Sequence, residues 1–282
     1  MIKLVSIILL SFFSLGNYTS SDSFVIQKQA SPVKATFEVQ ATTAAVFDIN
    51  KNQFIFQQSE NEISSIASIT KLMTALVFLE NNPGWQEVYE ITRQDRREGG
   101  RIYLYLGDKV LVKDLFYLSL VGSANTATAA LVSSTGMSEQ EFVQKMNRKA
   151  FDLGLFRTKF EDPVGLSINN VSTAKEVAIL TNYALMNEEI QKAVLTKQYN
   201  FTTKQGKARA IDNTDALLEN FNVSNVDILG GKTGYNEKAN YCFTGKFQKG
   251  NQQIISVVLG TQSKYDRFNE TDKIVNNILG ND

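Results

Sequence analysis

Strand-like segments stand near both ends of this chain with a helical stretch between them, and no other feature constrains the fold as tightly. Near the start, Ala44-Ala45-Val46-Phe47-Asp48-Ile49 is a short apolar run, Asn50-Lys51-Asn52 has turn chemistry, and Gln53 to Gln57 alternates polar and apolar residues. Together they read as a β-hairpin. Late in the chain, Val226 to Tyr235, Tyr241 to Gln248 and Gln253 to Gly260 read as three antiparallel strands, the last two joined by a turn at Lys249-Gly250-Asn251. Helices are expected between them over 68–80, 112–121, 126–133, 138–153 and 173–186, with a closing helix over 268–279. The fourth opens with a capping box, Ser138 with Glu141. The simplest packing joins all strands in one antiparallel sheet with helices on its faces and a helical subdomain inserted, an α+β fold.

Composition narrows the chemistry. Lys plus Arg equals Asp plus Glu, 29 each, which removes any electrostatic case for a nucleic-acid partner. The chain has no histidine, so a Ser-His-Asp triad is excluded and a general base must be Lys, Asp, Glu or Tyr. Its one cysteine, Cys242, excludes thiolate zinc sites and internal disulfides. In the apolar stretch Tyr241-Cys242-Phe243 it reads as a small buried residue rather than a nucleophile. No metal site and no cofactor is expected. Residues 1–16 read as a signal peptide or uncleaved N-terminal anchor: Lys3 supplies charge, and the apolar run Leu4 to Leu15 is shorter than a membrane-spanning helix requires. Residues 17–37 read as a polar linker and 38–282 as the catalytic domain. The protein is therefore expected to be exported, to the periplasm or the extracytoplasmic face of the envelope, touching membrane only through an uncleaved N-terminal segment.

Three short motifs carry the chemistry. Ser68-Ile69-Thr70-Lys71 stands at a helix start, where residues three apart share a face, so a hydroxyl and an amine can meet within one turn. A lysine acts as a base only when burial or a neighbouring cation lowers its pKa, so this reading requires a second positive group nearby. By itself the spacing is a weak signal, since Ser31 with Lys34 and Ser172 with Lys175 match it too. Ser123-Ala124-Asn125 heads a small-residue run. Its bland reading is ordinary helix capping, and Ser59 to Asn61 and Ser167 to Asn169 share the pattern. Lys232-Thr233-Gly234 falls in a late strand whose glycines at 230, 231 and 234 suit close ligand approach, against the alternative of an edge strand with a solvated lysine.

In this order and spacing, the three motifs form the set described for penicillin-binding proteins and serine β-lactamases. The sequence resembles the low-molecular-mass penicillin-binding proteins, the D-alanyl-D-alanine carboxypeptidase family of serine peptidases. The likeness extends through Ser68 to Leu76, through Gly107-Asp108 with Val110, Val112 and Asp114-Leu115, and through Phe142 with Met146-Asn147. It continues over Phe160 to Leu166 and Ser172-Thr173-Ala174, and covers roughly residues 38 to 280.

The resemblance implies a β-lactamase/DD-peptidase-like fold and a set of roles. Ser68 would form an acyl-enzyme with a stem peptide ending in D-Ala-D-Ala, Lys71 would take its proton, and Ser123 would assist proton transfer. Asn125, Lys232, Thr233, Gly234 and Tyr235 would bind substrate, the N–H groups of Ser68 and Tyr235 forming the oxyanion hole. Arg267 would lie near the substrate carboxylate. β-Lactam antibiotics would be covalent inhibitors. Two positions depart from the family pattern: Thr126 stands where Asp is common, and Val164 where His is frequent. The run Asp162 to Ser167 with Asn170-Val171-Ser172 resembles the branch that cuts crosslinks. A DD-endopeptidase is therefore an alternative to the leading carboxypeptidase. A β-lactamase is a third reading, opposed by the lack of a Glu-x-x-x-Asn arrangement before Thr173, and a non-catalytic wall-binding module a fourth.

Overall fold

A computed structural model describes residues 37–280. All the described residues belong to one unit. The signal or anchor segment 1–16, linker residues 17–36, and Ser31 with Lys34 lie outside the described residues. Phe37, expected to end the linker, is already packed: its ring stacks on Phe56 at 4.9 Å.

The hairpin of β1 (Thr43–Asp48) and β2 (Gln53–Gln58) leads through a two-residue strand, β3 (Ser64–Ser65), and a 3-10 turn, Ala67–Ile69, into α1 (Thr70–Leu79). A small hairpin follows, β4 (Val88–Glu90) with β5 (Lys109–Leu111), then α2 (Val112–Leu120), α3 (Asn125–Ser133) and α4 (Glu139–Asp152). Strand β6 (Val171–Ser172) pairs with β3, and α5 (Ala174–Leu185) and α6 (Glu188–Val194) come next. A second hairpin, β7 (Gln198–Thr202) with β8 (Ala208–Asp212), and one helical turn, α7 (Leu217–Asn220), precede β9 (Asp227–Asn236), β10 (Asn240–Lys249) and β11 (Gln252–Thr261). Helix α8 (Asp266–Val275) closes the series.

The expected single sheet is present, antiparallel throughout, in the order β2-β1-β11-β10-β9. The chain ends meet where β1 pairs with β11, Ala45 opposite Val257. Every residue of β1 is buried because both faces of the sheet are covered. Ala45 and Phe47 face the core shared with α1 and α5, whereas Ala44 and Val46 face the one shared with Phe268, Ile274 and Val275 of α8. This is the period-2 alternation of a strand with apolar residues in both phases. Edge strand β9, on the side away from β2, carries Lys232-Thr233-Gly234.

Helix α1 is not the one-faced helix of a protein surface. Thr70 to Phe78 are all buried, so the helix runs through the core instead of lying on it. The sequence over 198–212 proved to be strands earlier than expected, and α6, α7 and the β4–β5 hairpin were not foreseen. These pieces are too short for periodicity to declare them. The N-cap of α5 is Thr173, whose hydroxyl accepts from Glu176 N–H, whereas Ser172 bonds Thr158.

The Ser138/Glu141 capping box is formed at the start of α4, Ser138 Oγ accepting from Glu141 N–H at 3.2 Å. Ser138→Ala should lower stability by about 1 kcal/mol, read as a lower urea midpoint with the slope unchanged.

Candidate active site

Ser68 lies in the 3-10 turn ahead of α1 rather than in the helix itself. Ala67 just before it has φ 46°, the left-handed region that costs a residue with a Cβ about 1–2 kcal/mol. Two glycines allow other backbones to clamp the turn there. A Cβ on Gly165 would stand 2.2 Å from the Ala67 carbonyl oxygen, and one on Gly234 2.7 Å from that of Ile66. Loop 161–170 and strand β9 therefore grip the turn, leaving Ser68 partly exposed.

Lys71, in the first turn of α1, is fully buried. Its Nζ donates to Ser68 Oγ at 2.8 Å, Asn125 Oδ1 at 3.0 Å and the Val164 carbonyl at 2.7 Å. Those contacts use all three N–H groups of an ammonium. Burial pushes Lys71 down to about 7, with the Asp162 carboxylate acting in the opposite direction.

The other polar positions on this end of α1 also serve loop 161–170. Thr70 Oγ1 accepts from Asn170 Nδ2 at 3.1 Å, and Thr74 Oγ1 donates to the Pro163 carbonyl. Asp162 organises the loop from within: its Oδ1 accepts the N–H groups of Val164, Gly165 and Leu166, and its Oδ2 that of Ser167. That turn presents the Val164 carbonyl to Lys71.

A second cation stands on β9. Lys232 is buried, and its Nζ donates to Ser123 Oγ at 3.0 Å and to the Thr233 carbonyl at 3.2 Å. Burial, then the charges of Lys71 and Arg267, hold Lys232 well below the usual lysine range, against the pull of Asp215. The charge of Lys71 therefore disfavours a proton on Lys232. Ser123 and Asn125 join the halves of the site, one meeting Lys232 and the other Lys71. Ser123 adopts φ 54°.

The remaining expected residues line β9. Thr233 Oγ1 donates to Thr214 Oγ1 at 2.7 Å. Tyr235 is 52% exposed, its ring stacked on Tyr241 at 4.4 Å. Arg267 is buried rather than solvated, donating from Nη1 to the Gly234 carbonyl at 3.2 Å with its guanidinium over the Phe268 and Tyr241 rings. Cys242 is buried, and burial pushes its thiol up to about 11.

Sequence reasoning missed four contributors. The Val164 carbonyl, Asp162 and Asn170 belong to a loop that the sequence marked through the run Asp162 to Ser167 with Asn170, but with no role toward Lys71. Asp215 is the fourth. Its Oδ1 accepts from Leu217 N–H at 3.0 Å, and its Oδ2 has no hydrogen-bond partner among the described residues. Burial pushes Asp215 up to about 6 despite Arg267 and Lys232 nearby. The polar triplet Asn213-Thr214-Asp215 reads as ordinary turn chemistry, which hid it. Glu161 and Asn169, too far apart in sequence for the lactamase arrangement, do meet in space: Asn169 Nδ2 donates to Glu161 Oε2 at 2.9 Å. The carboxylate is solvent-facing and its other partners are Ser167 and Lys159.

A hydroxyl, a buried amine 2.8 Å from it whose pKa is pushed down to about 7, and an open strand edge beside both can support nucleophilic acyl transfer. A family model described as D-alanyl-D-alanine carboxypeptidase matches residues 27–263. The D-alanyl-D-alanine carboxypeptidase DacF of Bacillus subtilis is 31% identical over 84% of this chain, which spans 61% of that relative's length. The D-alanyl-D-alanine endopeptidase of Haemophilus influenzae is 33% identical over 82% of this chain and 79% of its own. Among solved structures, a Listeria monocytogenes penicillin-binding protein in a cefotaxime-bound form superposes with TM-score 0.75 at 28% identity, over 86% of this chain and 99% of that one.

Gly165 also adopts φ 87°. Gly165→Ala should therefore cost at least about 2 kcal/mol, read by urea denaturation, because strain and the clash with Ala67 act together.

Proposed function

We propose that this chain, which belongs to the D-alanyl-D-alanine carboxypeptidase family, is an exported serine peptidase that removes the terminal D-Ala from peptidoglycan stem peptides. One observation carries the reading: Lys71 Nζ stands 2.8 Å from Ser68 Oγ, fully buried, in a protein without histidine. With the amine neutral, the same contact runs from the hydroxyl to the nitrogen, which is the geometry of an activated nucleophile. Among the described residues no helix is long and apolar enough to cross a membrane.

In this reading Ser68 Oγ attacks the carbonyl between the two D-alanines while Lys71 takes the hydroxyl proton. The N–H groups of Ser68 and Tyr235 hold the developing oxyanion. The C–N bond breaks as the proton held by Lys71 passes by way of Ser123 to the leaving D-Ala amine, leaving an ester on Ser68 and Lys71 again neutral. Water then hydrolyses that ester and returns the enzyme. Asn125 orients the substrate amide, and Thr233, Lys232 and Arg267 supply the positive, hydrogen-bonding side for the terminal carboxylate. The substrate backbone adds to the β9 edge as a further strand.

Cleavage of crosslinks is the second reading, supported by the likeness to the Haemophilus influenzae endopeptidase and by the Asp162 to Ser167 run. Incubation with stem pentapeptide and with crosslinked dimer separates the two. Free D-Ala from the pentapeptide supports the first, and loss of dimer alone supports the second. A β-lactamase would turn over a chromogenic cephalosporin rapidly, whereas persistent labelling by fluorescent penicillin is expected here. Ser68→Ala should abolish that labelling. Label retained on the variant would overturn the nucleophile assignment.

Lys71 must be unprotonated to accept a proton, and its pKa is about 7. The second-order rate of penicillin acylation should therefore rise as pH increases through about 7 and level off above it. A rate that falls over that interval would exclude Lys71 as the base.

A further inference from the structure

Beside the Ser123–Asn125 segment lies a cavity of about 700 Å³ lined by Thr126 and by residues between 91 and 106. Ile102, Tyr105 and Leu106 line it yet are each more than half exposed, an apolar cluster left facing water. Three arginines, Arg93, Arg96 and Arg97, stand among them. Arg97 is ion-paired with Glu139, but no carboxylate among the described residues pairs with Arg93 or Arg96. Apolar walls with a few convergent charged groups are the usual make-up of a ligand site, and guanidinium groups select carboxylates.

The cavity is built on rigid supports. Buried Asp95 holds the turn that carries Arg93 and Arg96, accepting from Thr92 N–H, Thr92 Oγ1, Tyr89 OH and Ser133 Oγ. Buried Asp108 holds the other wall, accepting from Tyr105 N–H and pairing with Lys207 and Arg209 of the β7–β8 hairpin region. Arg209 in turn lies over the Tyr105 ring.

The cavity is also joined to the chemistry. Thr126 lines it, and its Oγ1 accepts from Arg97 N–H at 3.2 Å. Its neighbour Asn125 donates from Nδ2 to the Glu98 and Gly99 carbonyls and accepts from Lys71 at Oδ1. One side chain thus ties the segment leading from the cavity to the base.

We propose that this cavity is a subsite for the acidic part of the stem peptide, the stretch preceding D-Ala-D-Ala. The inference rests on the peptidase reading of the adjoining site. A γ-linked glutamyl residue in such a peptide keeps a free α-carboxylate unless it is amidated, and the diamino acid after it presents an aliphatic chain. Arg93 and Arg96 take the carboxylate, and Ile102, Tyr105 and Leu106 cover the chain.

The test compares two stem pentapeptides that differ only in a free or amidated glutamyl α-carboxyl, with the native protein and with Arg93→Glu/Arg96→Glu. Reversing both charges should lower the kcat/KM preference for the free acid over the amide about tenfold. Labelling by fluorescent penicillin reports that the variant is folded. A preference that does not change, or a variant that loses both substrates equally, would overturn the subsite. Binding of the stem tripeptide that ends at the diamino acid, measured by calorimetry, separates this from failure of the peptidase reading. If the native protein binds the free acid more tightly than the amide and the variant does not, the subsite stands even where no D-Ala is released. If native and variant bind it alike, the subsite fails even where D-Ala is released.

Discussion

The site depends on one buried ammonium-bearing side chain. An amine taken out of water must find hydrogen-bond acceptors or lose its charge, and Lys71 meets both conditions in part. It reaches acceptors from three separate stretches of chain, the Ser68 turn, the start of α3 and loop 161–170. It also titrates near 7 because burial opposes the proton. Satisfying this one group draws the nucleophile, the Ser123–Asn125 segment and the loop into contact. A second buried amine, Lys232, is itself held below the usual lysine range by burial and by the charges of Lys71 and Arg267.

Strain and close packing hold the arrangement. Ala67 and Ser123 both occupy left-handed backbone conformations beside the reactive groups. Such conformations persist only where the surroundings over-determine them. Here the surroundings are backbones admitted by Gly165 and Gly234, which press on the turn from opposite partners, the loop and β9. The Asp162 carboxylate fixes that loop with four backbone N–H bonds. Asp215 lies near Gly231 and Lys232 with one oxygen unpartnered among the described residues, so the lysine sits in a field set by carboxylates as well as cations.

Some of this was legible beforehand. The strands over 227–236, 240–249 and 252–261 fall within one residue of the runs read for them, the last two being bounded by the turn at Lys249-Gly250-Asn251. The α4 capping box was visible because its partners are three residues apart. By contrast, nothing in the spacing over 68–80 signalled that the fold buries all of Thr70 to Phe78. Its threonines and lysine look solvated in sequence but bond to loop 161–170 across the core.

The five strands, the order of the three motifs and the lack of an imidazole base could be read along the chain, because patterning, spacing and composition are local or global properties of a string. The sequence also put Ser68 and Lys71 in reach of each other, since a single helical turn spans them. Only the tertiary structure decided that Lys71 is fully buried, that Lys232 stands by Ser123, and that Arg267 is buried against the Gly234 carbonyl. The same holds for Asp215 and for the arginine-lined cavity by Thr126. Each of these rests on contacts between segments far apart in the chain. Burial, and with it the pKa of a side chain, arises from such neighbours and leaves no trace in the spacing of residues along the chain.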